Sequence, residues 1–269
     1  MIYHRLRIII IMKVILLTLY LTGFVASQQT RDKQQLMNWC IDAKHHKTEP
    51  GPEGALFGQC TPWKERACCT SNTTKNIHEN KESLYNFDFN HCSEMKPLSA
   101  ECLKHFNQDH CFYECSPNIG PWVVKEERSW RKERYFKVPL CASDCDVWYE
   151  ACKNDFTCTD NWSQNFDWKT VECEQGGGTC KRNVCPADSE CQTFQRIFGS
   201  AKNFCERVWD HAWEYTSSET YCMRLWFNGT AGNPNDRVAE WKASQLSGAS
   251  NLFKSCAIFI ASIVILFSF

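Results

Sequence analysis

The chain carries almost no net charge: thirty Lys and Arg stand against thirty-one Asp and Glu, leaving -1 at pH 7. No basic stripe stands out to neutralise a run of phosphates, which speaks against a nucleic-acid partner. The hydrolase elbow, the phosphate loop, the dinucleotide fingerprint and the His-Glu-x-x-His zinc pattern are all missing. The chain is therefore not expected to be an enzyme, and no cofactor is called for. No Cys-x2-Cys pair occurs among nineteen cysteines, which weakens a zinc reading; Cys111 with Cys115 and Cys141 with Cys145 are the alternative ligand pairs, at helical spacing. No internal repeat is evident.

The two apolar runs are short. Arg5, Arg7 and Lys13 precede the first, Val14 to Val25, and small residues Ala26 and Ser27 follow it. This order reads as a secretory signal over residues 1–27. The second run, Cys256 to Phe269, follows Lys254 and the small residues Ser247, Gly248, Ala249 and Ser250. It reads as a glycosylphosphatidylinositol (GPI) anchor signal over 248–269, with the lipid joined at Ser247 or Gly248. The alternative, a short transmembrane helix, falls below the roughly 20 residues that span a bilayer.

Between them lies one extracellular domain, residues 28–247, stapled by cysteines. Setting aside Cys256 in the tail, the others run from Cys40 to Cys222 as an even set in an oxidising compartment, which predicts about eight or nine disulfides of open pairing. Sequons at Asn72, Asn161 and Asn228 fit a surface glycoprotein.

The fold class expected is disulfide-rich α+β, several helices packed over short strands with long loops. Cys141, Cys145, Trp148 and Cys152 predict one helix near Ser143 to Asn154. Cys102, Phe106, Asp109 and Tyr113 predict another from about Ser99 to Cys115, with a carboxylate among aromatic rings, a costly placement for an unpaired charge. A third is expected from about Ile197 to Tyr215, and a fourth opens at Asn233 and Pro234. Ser83 to Phe89 carries a weak strand signal, and Thr48 to Gly54 and Gln175 to Thr179 read as loops.

Aromatic residues are the informative excess: eleven Trp, eight Tyr and seventeen Phe. Many must serve the core. The combination of Asp109 and Tyr113 with the run Trp130-Arg131-Lys132-Glu133-Arg134 and with Trp162 and Trp168 suits a pocket for a flat heterocycle with polar edges. His45 and His46, between Lys44 and Lys47, read as a solvated surface pair rather than metal ligands.

Several stretches resemble the folate receptor family: Asp42-Ala43-Lys44-His45-His46-Lys47, Tyr113-Glu114-Cys115-Ser116-Pro117-Asn118 with Gly120-Pro121-Trp122, Ser129-Trp130-Arg131-Lys132-Glu133-Arg134, and Gly232-Asn233-Pro234-Asn235. The likeness covers nearly the whole mature chain and sixteen of its cysteines. Cys173 and Cys180 look like an added pair, joined to each other in a Gly-rich insertion. The resemblance implies a cell-surface receptor that binds folic acid or reduced folates and takes them up by endocytosis. It places Asp109 against the donor edge of a pterin, and Arg131 and Arg134 against its acceptor edge. Tyr85, Tyr113 and Trp209 then sandwich the ring, Phe87, Trp130 and Trp162 add walls, and Trp168 stands near the mouth. Acidification would release the ligand through Asp109, with His110 and His91 contributing.

Two departures fall in the pocket. Ala212 replaces a serine usual in the family, and Ser163-Gln164-Asn165-Phe166 replaces its His-Lys-Gly-Trp, which binds the glutamate tail. The resemblance also leaves a second reading, an egg-surface adhesion receptor that recognises a protein without binding folate, although that branch lacks the pocket aspartate and the Trp-Arg-Lys-Glu-Arg run. Riboflavin-binding proteins are relatives without the Asp109, Arg131, Arg134 combination.

Overall fold

The computed structural model describes residues 32–79, 84–129, 131–172 and 178–247. The secretory signal, Gly248 and the anchor signal lie outside these residues, as do Trp130 and Cys173. Among the described residues no helix is long and apolar enough to cross a membrane.

The chain divides into a unit of Leu36–Ala239 and a smaller one of Met1–Gln35 with Glu240–Phe269. In the smaller unit Lys33, on a short helix α1 (Lys33–Leu36), pairs with Glu240 at 2.9 Å. The larger unit is mixed α and β and disulfide-rich. It runs through α2 (Ser71–Glu79), α3 (Ala100–Cys115), the hairpin β1 (Val123–Arg128) and β2 (Arg131–Tyr135), then β3 (Val138–Cys141), α4 (Ala142–Cys152) and β4 (Phe156–Thr157). There follow β5 (Asp167–Glu172), β6 (Thr179–Val184), β7 (Gln192–Thr193), α5 (Phe194–Phe198), α6 (Ala201–Arg207) and β8 (Trp213–Thr216). A final helix, α7, covers 235–247, where Asn233 accepts the Asn235 N–H at 3.0 Å.

The described strands pair only in twos: β1 with β2, β4 with β7 and β5 with β6 antiparallel, β3 with β8 parallel. No broad sheet joins them, and covalent bonds take its place. Helix α3 is the axis of this frame. Ser99 caps it by accepting the Cys102 N–H, and the Ser99 hydroxyl and N–H both donate to Asp155 Oδ2, at 2.5 and 3.0 Å. Lys96 completes the cap with an ion pair to Asp155 at 2.8 Å. Cys102–Cys152 ties α3 to α4, and Cys60–Cys111 and Cys69–Cys115 tie it to the chain before it. Cys145–Cys205 joins α4 to α6, and Cys141–Cys222, Cys40–Cys68, Cys92–Cys191 and Cys158–Cys185 complete eight bridges among the described residues.

Two expectations are corrected. The helix predicted from Ile197 to Tyr215 is two short helices and a strand. Gly199 closes α5 in the left-handed region at φ 73°, Ser200 caps α6 afresh, and Asp210 and His211, at φ 54° and 57°, turn the chain into β8. The strand signal near Ser83 to Phe89 is also not realised: the described part, Leu84 onward, is turn and irregular chain.

Gly120 permits a close crossing. A Cβ there would collide with the Leu36 carbonyl and with the Trp39 side chain at 2.8 Å, both resistant to displacement. Gly120→Ala is expected to cost about 1–3 kcal/mol, read as a lower midpoint of urea unfolding with an unchanged slope.

Candidate ligand-binding pocket

Helix α3 carries the deepest polar group of the site. Asp109 is 3 % exposed, and Trp213 Nε1 donates to its Oδ1 at 2.9 Å. Burial pushes its carboxyl up from 3.8 to about 7, against the pull of the Trp213 and Trp209 indoles. The neighbouring His110 is driven the other way, to about 4, by burial that disfavours its cation, and burial also lowers His91. Burial therefore keeps the His110 imidazole neutral across the mildly acidic range, which corrects the expectation that it shares in acid release.

The hairpin β1–β2 supplies the cations. Arg131 and Arg134, each 9 % exposed, converge on Glu126, whose Oε2 lies 3.6 Å from a guanidinium nitrogen of both. Arg128 donates to the other oxygen of Glu126 at 2.9 Å. Arg134 also grips Asp210, through the carboxylate at 2.9 Å and the carbonyl at 2.7 Å, where the left-handed turn presents both. Burial alone would raise the Asp210 carboxyl, but hydrogen bonds from Gln164 and Asn161 and the Arg134 charge hold it below its ordinary value. Asn161, one of the sequons, thus belongs to the same network as a pocket arginine.

Aromatic side chains form the walls. Phe87 stacks on Trp162 with centroids 5.5 Å apart and meets Trp209 at 5.7 Å. Trp162 Nε1 donates to Thr157 Oγ1 at 3.0 Å, which fixes the indole plane. Tyr85 and Tyr113 face edge to plane at 6.4 Å. Trp168, on the solvent-facing hairpin β5–β6, is 46 % exposed. Asn183 moors that hairpin by bonding both the N–H and the carbonyl of Asp88, beside Phe87.

These side chains enclose about 810 Å³ of empty space, open mouth included. Of the ten residues expected there from the sequence, nine line this cavity: Asp109, Tyr113, Arg131, Arg134, Tyr85, Phe87, Trp162, Trp168 and Trp209. Trp130 is outside the described residues. The cavity also takes in Tyr135, Arg128, Ser163 and Ala212, of which sequence reasoning did not expect Tyr135 and Arg128 as wall residues. Tyr135 follows Arg134 in the same strand, and Arg128 precedes the quoted run by one residue, so proximity to that run was the signal available.

His45 and His46 are not a solvated pair. His46 has a side-chain exposure of 1 %, and its ring meets Tyr113 edge-on at 5.3 Å; His45 meets Tyr85 in the same way at 5.1 Å. Their lysine neighbours suggested solvent, but the partners lie tens of residues away and no local pattern announces them. In the segment Ser163 to Phe166, the exposed Gln164 donates to Asp210 at 3.1 Å, and Phe166 is buried against His91 at 4.7 Å. Asn72 is exposed on α2, and Asn228 caps a turn at Gly229–Ala231.

A buried carboxyl and two guanidinium groups within one aromatic slot suit a flat ligand with hydrogen-bond donors on one edge and acceptors on another. The model of the folate receptor family matches residues 39–224. The chain belongs to the folate receptor family. It is 41 % identical over 231 residues to folate receptor gamma of Homo sapiens, covering 85 % of this chain and 89 % of that one. It is equally identical, over 241 residues, to folate receptor alpha of Homo sapiens, with 87 % and 89 % covered. The riboflavin-binding protein of Gallus gallus is 30 % identical over 201 residues, 74 % of each chain. The family is thus one of binding proteins for small vitamins rather than of enzymes.

Proposed function

We propose that this family member is a cell-surface receptor that binds folic acid or a reduced folate in the Asp109 pocket and carries it inward by endocytosis, held to the membrane by a GPI anchor. The observation that carries the reading is the union of the buried Asp109 carboxyl, two arginines and a stacked aromatic wall in one cavity. The pterin would lay its amino and ring N–H donors on Asp109 and its acceptor edge toward Arg131 and Arg134, between Tyr85, Tyr113 and Trp209. Phe87 and Trp162 extend the walls and Trp168 covers the mouth. The glutamate tail meets a changed entrance, because Ser163 to Phe166 is engaged with Asp210 and the core. Selectivity for the tail is therefore weaker than for the ring.

Calorimetric titration of the full-length chain, purified from a secretory host, with folic acid at neutral pH tests this directly. Tight binding supports the receptor reading; an oxidised, monomeric sample that releases no heat overturns it in favour of adhesion to a protein partner.

The pocket also sets a pH dependence. Bound donors favour the ionised carboxylate, so binding draws the Asp109 value below its ligand-free value of about 7. Affinity is then full above that value and falls as pH drops through it, with at most one proton taken up per ligand released. Between about pH 7.4 and pH 5.5 the loss is about 20-fold. Titrations at the two pH values measure it, and an affinity that stays constant between them removes Asp109 as the release trigger.

A further inference from the structure

Behind the aromatic wall lies a buried acid that the binding scheme does not use. Glu114 has a side-chain exposure of 0 %, yet its two oxygens are directed at two different groups. Oε1 accepts the Tyr85 hydroxyl at 2.6 Å. Oε2 lies 3.5 Å from Nδ1 of His46, whose Nε2 meets the Tyr113 carbonyl oxygen at 3.0 Å. A line of contacts thus runs from Tyr85 through Glu114 and His46 to the Tyr113 backbone, while the Tyr85 and Tyr113 rings meet edge to face at 6.4 Å in the pocket wall. His45 joins it from the side, with Nε2 3.0 Å from the Leu84 carbonyl oxygen, one residue before Tyr85.

The two tyrosines stand on unlike supports. Tyr113 belongs to α3, bridged at Cys102, Cys111 and Cys115. Tyr85 sits in turn and irregular chain. A wall carried on a loop is placed less precisely than one on a helix unless neighbouring groups lock it. An acid shut off from solvent is costly to keep, and an apolar residue would pack there at lower cost. Its short bond to Tyr85, a wall residue carried on turn and irregular chain, explains the placement.

We propose that Glu114, backed by His46, is a positioning residue that sets the width of the slot by tethering Tyr85 to α3. The inference rests on the proposed ring-binding function of the pocket, and it assigns Glu114 no contact with the ligand.

A double-mutant cycle tests it, with labelled folic acid binding to the full-length chain and thermal unfolding recorded for each variant. Tyr85→Phe and Glu114→Leu are each expected to weaken binding about tenfold, and the double variant also about tenfold, because both cut one link. Glu114→Gln keeps an oxygen for the Tyr85 hydroxyl and is expected to stay within about threefold of the natural chain, a difference that vanishes in the Tyr85→Phe background. Should the leucine variant fail to fold, the glutamine cycle alone carries the test. Losses that multiply to about a hundredfold, a leucine variant that binds like the natural chain, a glutamine variant as weak as leucine, or a glutamine effect that persists in the Tyr85→Phe background overturn the inference. A natural chain that does not bind at all refutes the proposed function instead.

Discussion

Asp109→Asn is expected to bind folic acid about a thousandfold more weakly than the natural chain while unfolding at a higher temperature at neutral pH. The first effect follows from the two charge-assisted bonds that the carboxylate accepts, each about 1.5–3 kcal/mol. An amide keeps one acceptor and turns an N–H₂ donor toward the ligand's own donors. The second effect has the opposite sign. The folded-state value of Asp109, about 7, lies above its ordinary 3.8, so the folded chain holds this proton more tightly than the unfolded chain does. Stability contributed by the protonated form is present below pH 3.8 and lost as pH rises through about 7. At neutral pH the burial of a charge costs on the order of 4 kcal/mol, and asparagine escapes it while retaining an oxygen for Trp213. Thermal unfolding of both chains near neutral pH and near about pH 4 reads this as a gap that closes in acid. A gap independent of pH, or a less stable asparagine variant at neutral pH, contradicts the assignment.

The double replacement Cys92→Ala with Cys191→Ala is expected to cost about 3 kcal/mol. The two cysteines are 99 residues apart, and a loop of that size, considered alone, gives about 4.7 kcal/mol. They are not alone. Without their bond, the shortest covalent path runs from Cys92 to Cys102, across to Cys152, on to Cys158, across to Cys185 and so to Cys191. That path holds only about two dozen residues, and the smaller loop gives a little over 3 kcal/mol. Urea unfolding distinguishes the two values. A loss near 4.7 kcal/mol means that the other bridges do not constrain the unfolded chain as a network.

Much of this was legible before any coordinates. Ser99 with the period of Cys102, Phe106 and Asp109 located α3 to within a residue, because a cap and an apolar stripe are local signals. The end of α6 was not legible. Val208, Trp209 and Ala212 continue a helical period although the chain has turned, since the turn and β8 bury the same kinds of side chain as a helix would. In the pocket, the resemblance pointed to residues that share a cavity, whereas Glu114 was not singled out and His46 was read as a solvated residue. Glu114 lies among Cys111, Phe112, Tyr113 and Cys115, an acid in an apolar setting, but its partner at Tyr85 is reached through the fold and not along the helix. The pairing of Cys173 with Cys180 rests with residues outside those described.

The absence of a broad sheet among the described residues bears on how members of this family change over generations. Segments 84–89, 100–115, 131–135, 162–168 and 209–212 each bring walls to the cavity from a different stretch of chain. In a continuous sheet, an alteration in one strand is felt through the register of the next. Here the paired strands are short, and bridges at Cys92, Cys141, Cys158 and Cys205 flank the segments, so a change in one wall reaches another through side-chain contacts such as that of Gln164 with Asp210 and not through a shared register. A frame of this kind admits exchange of a single wall segment, 162–168 for instance, without re-registering any strand that borders the cavity on the other side.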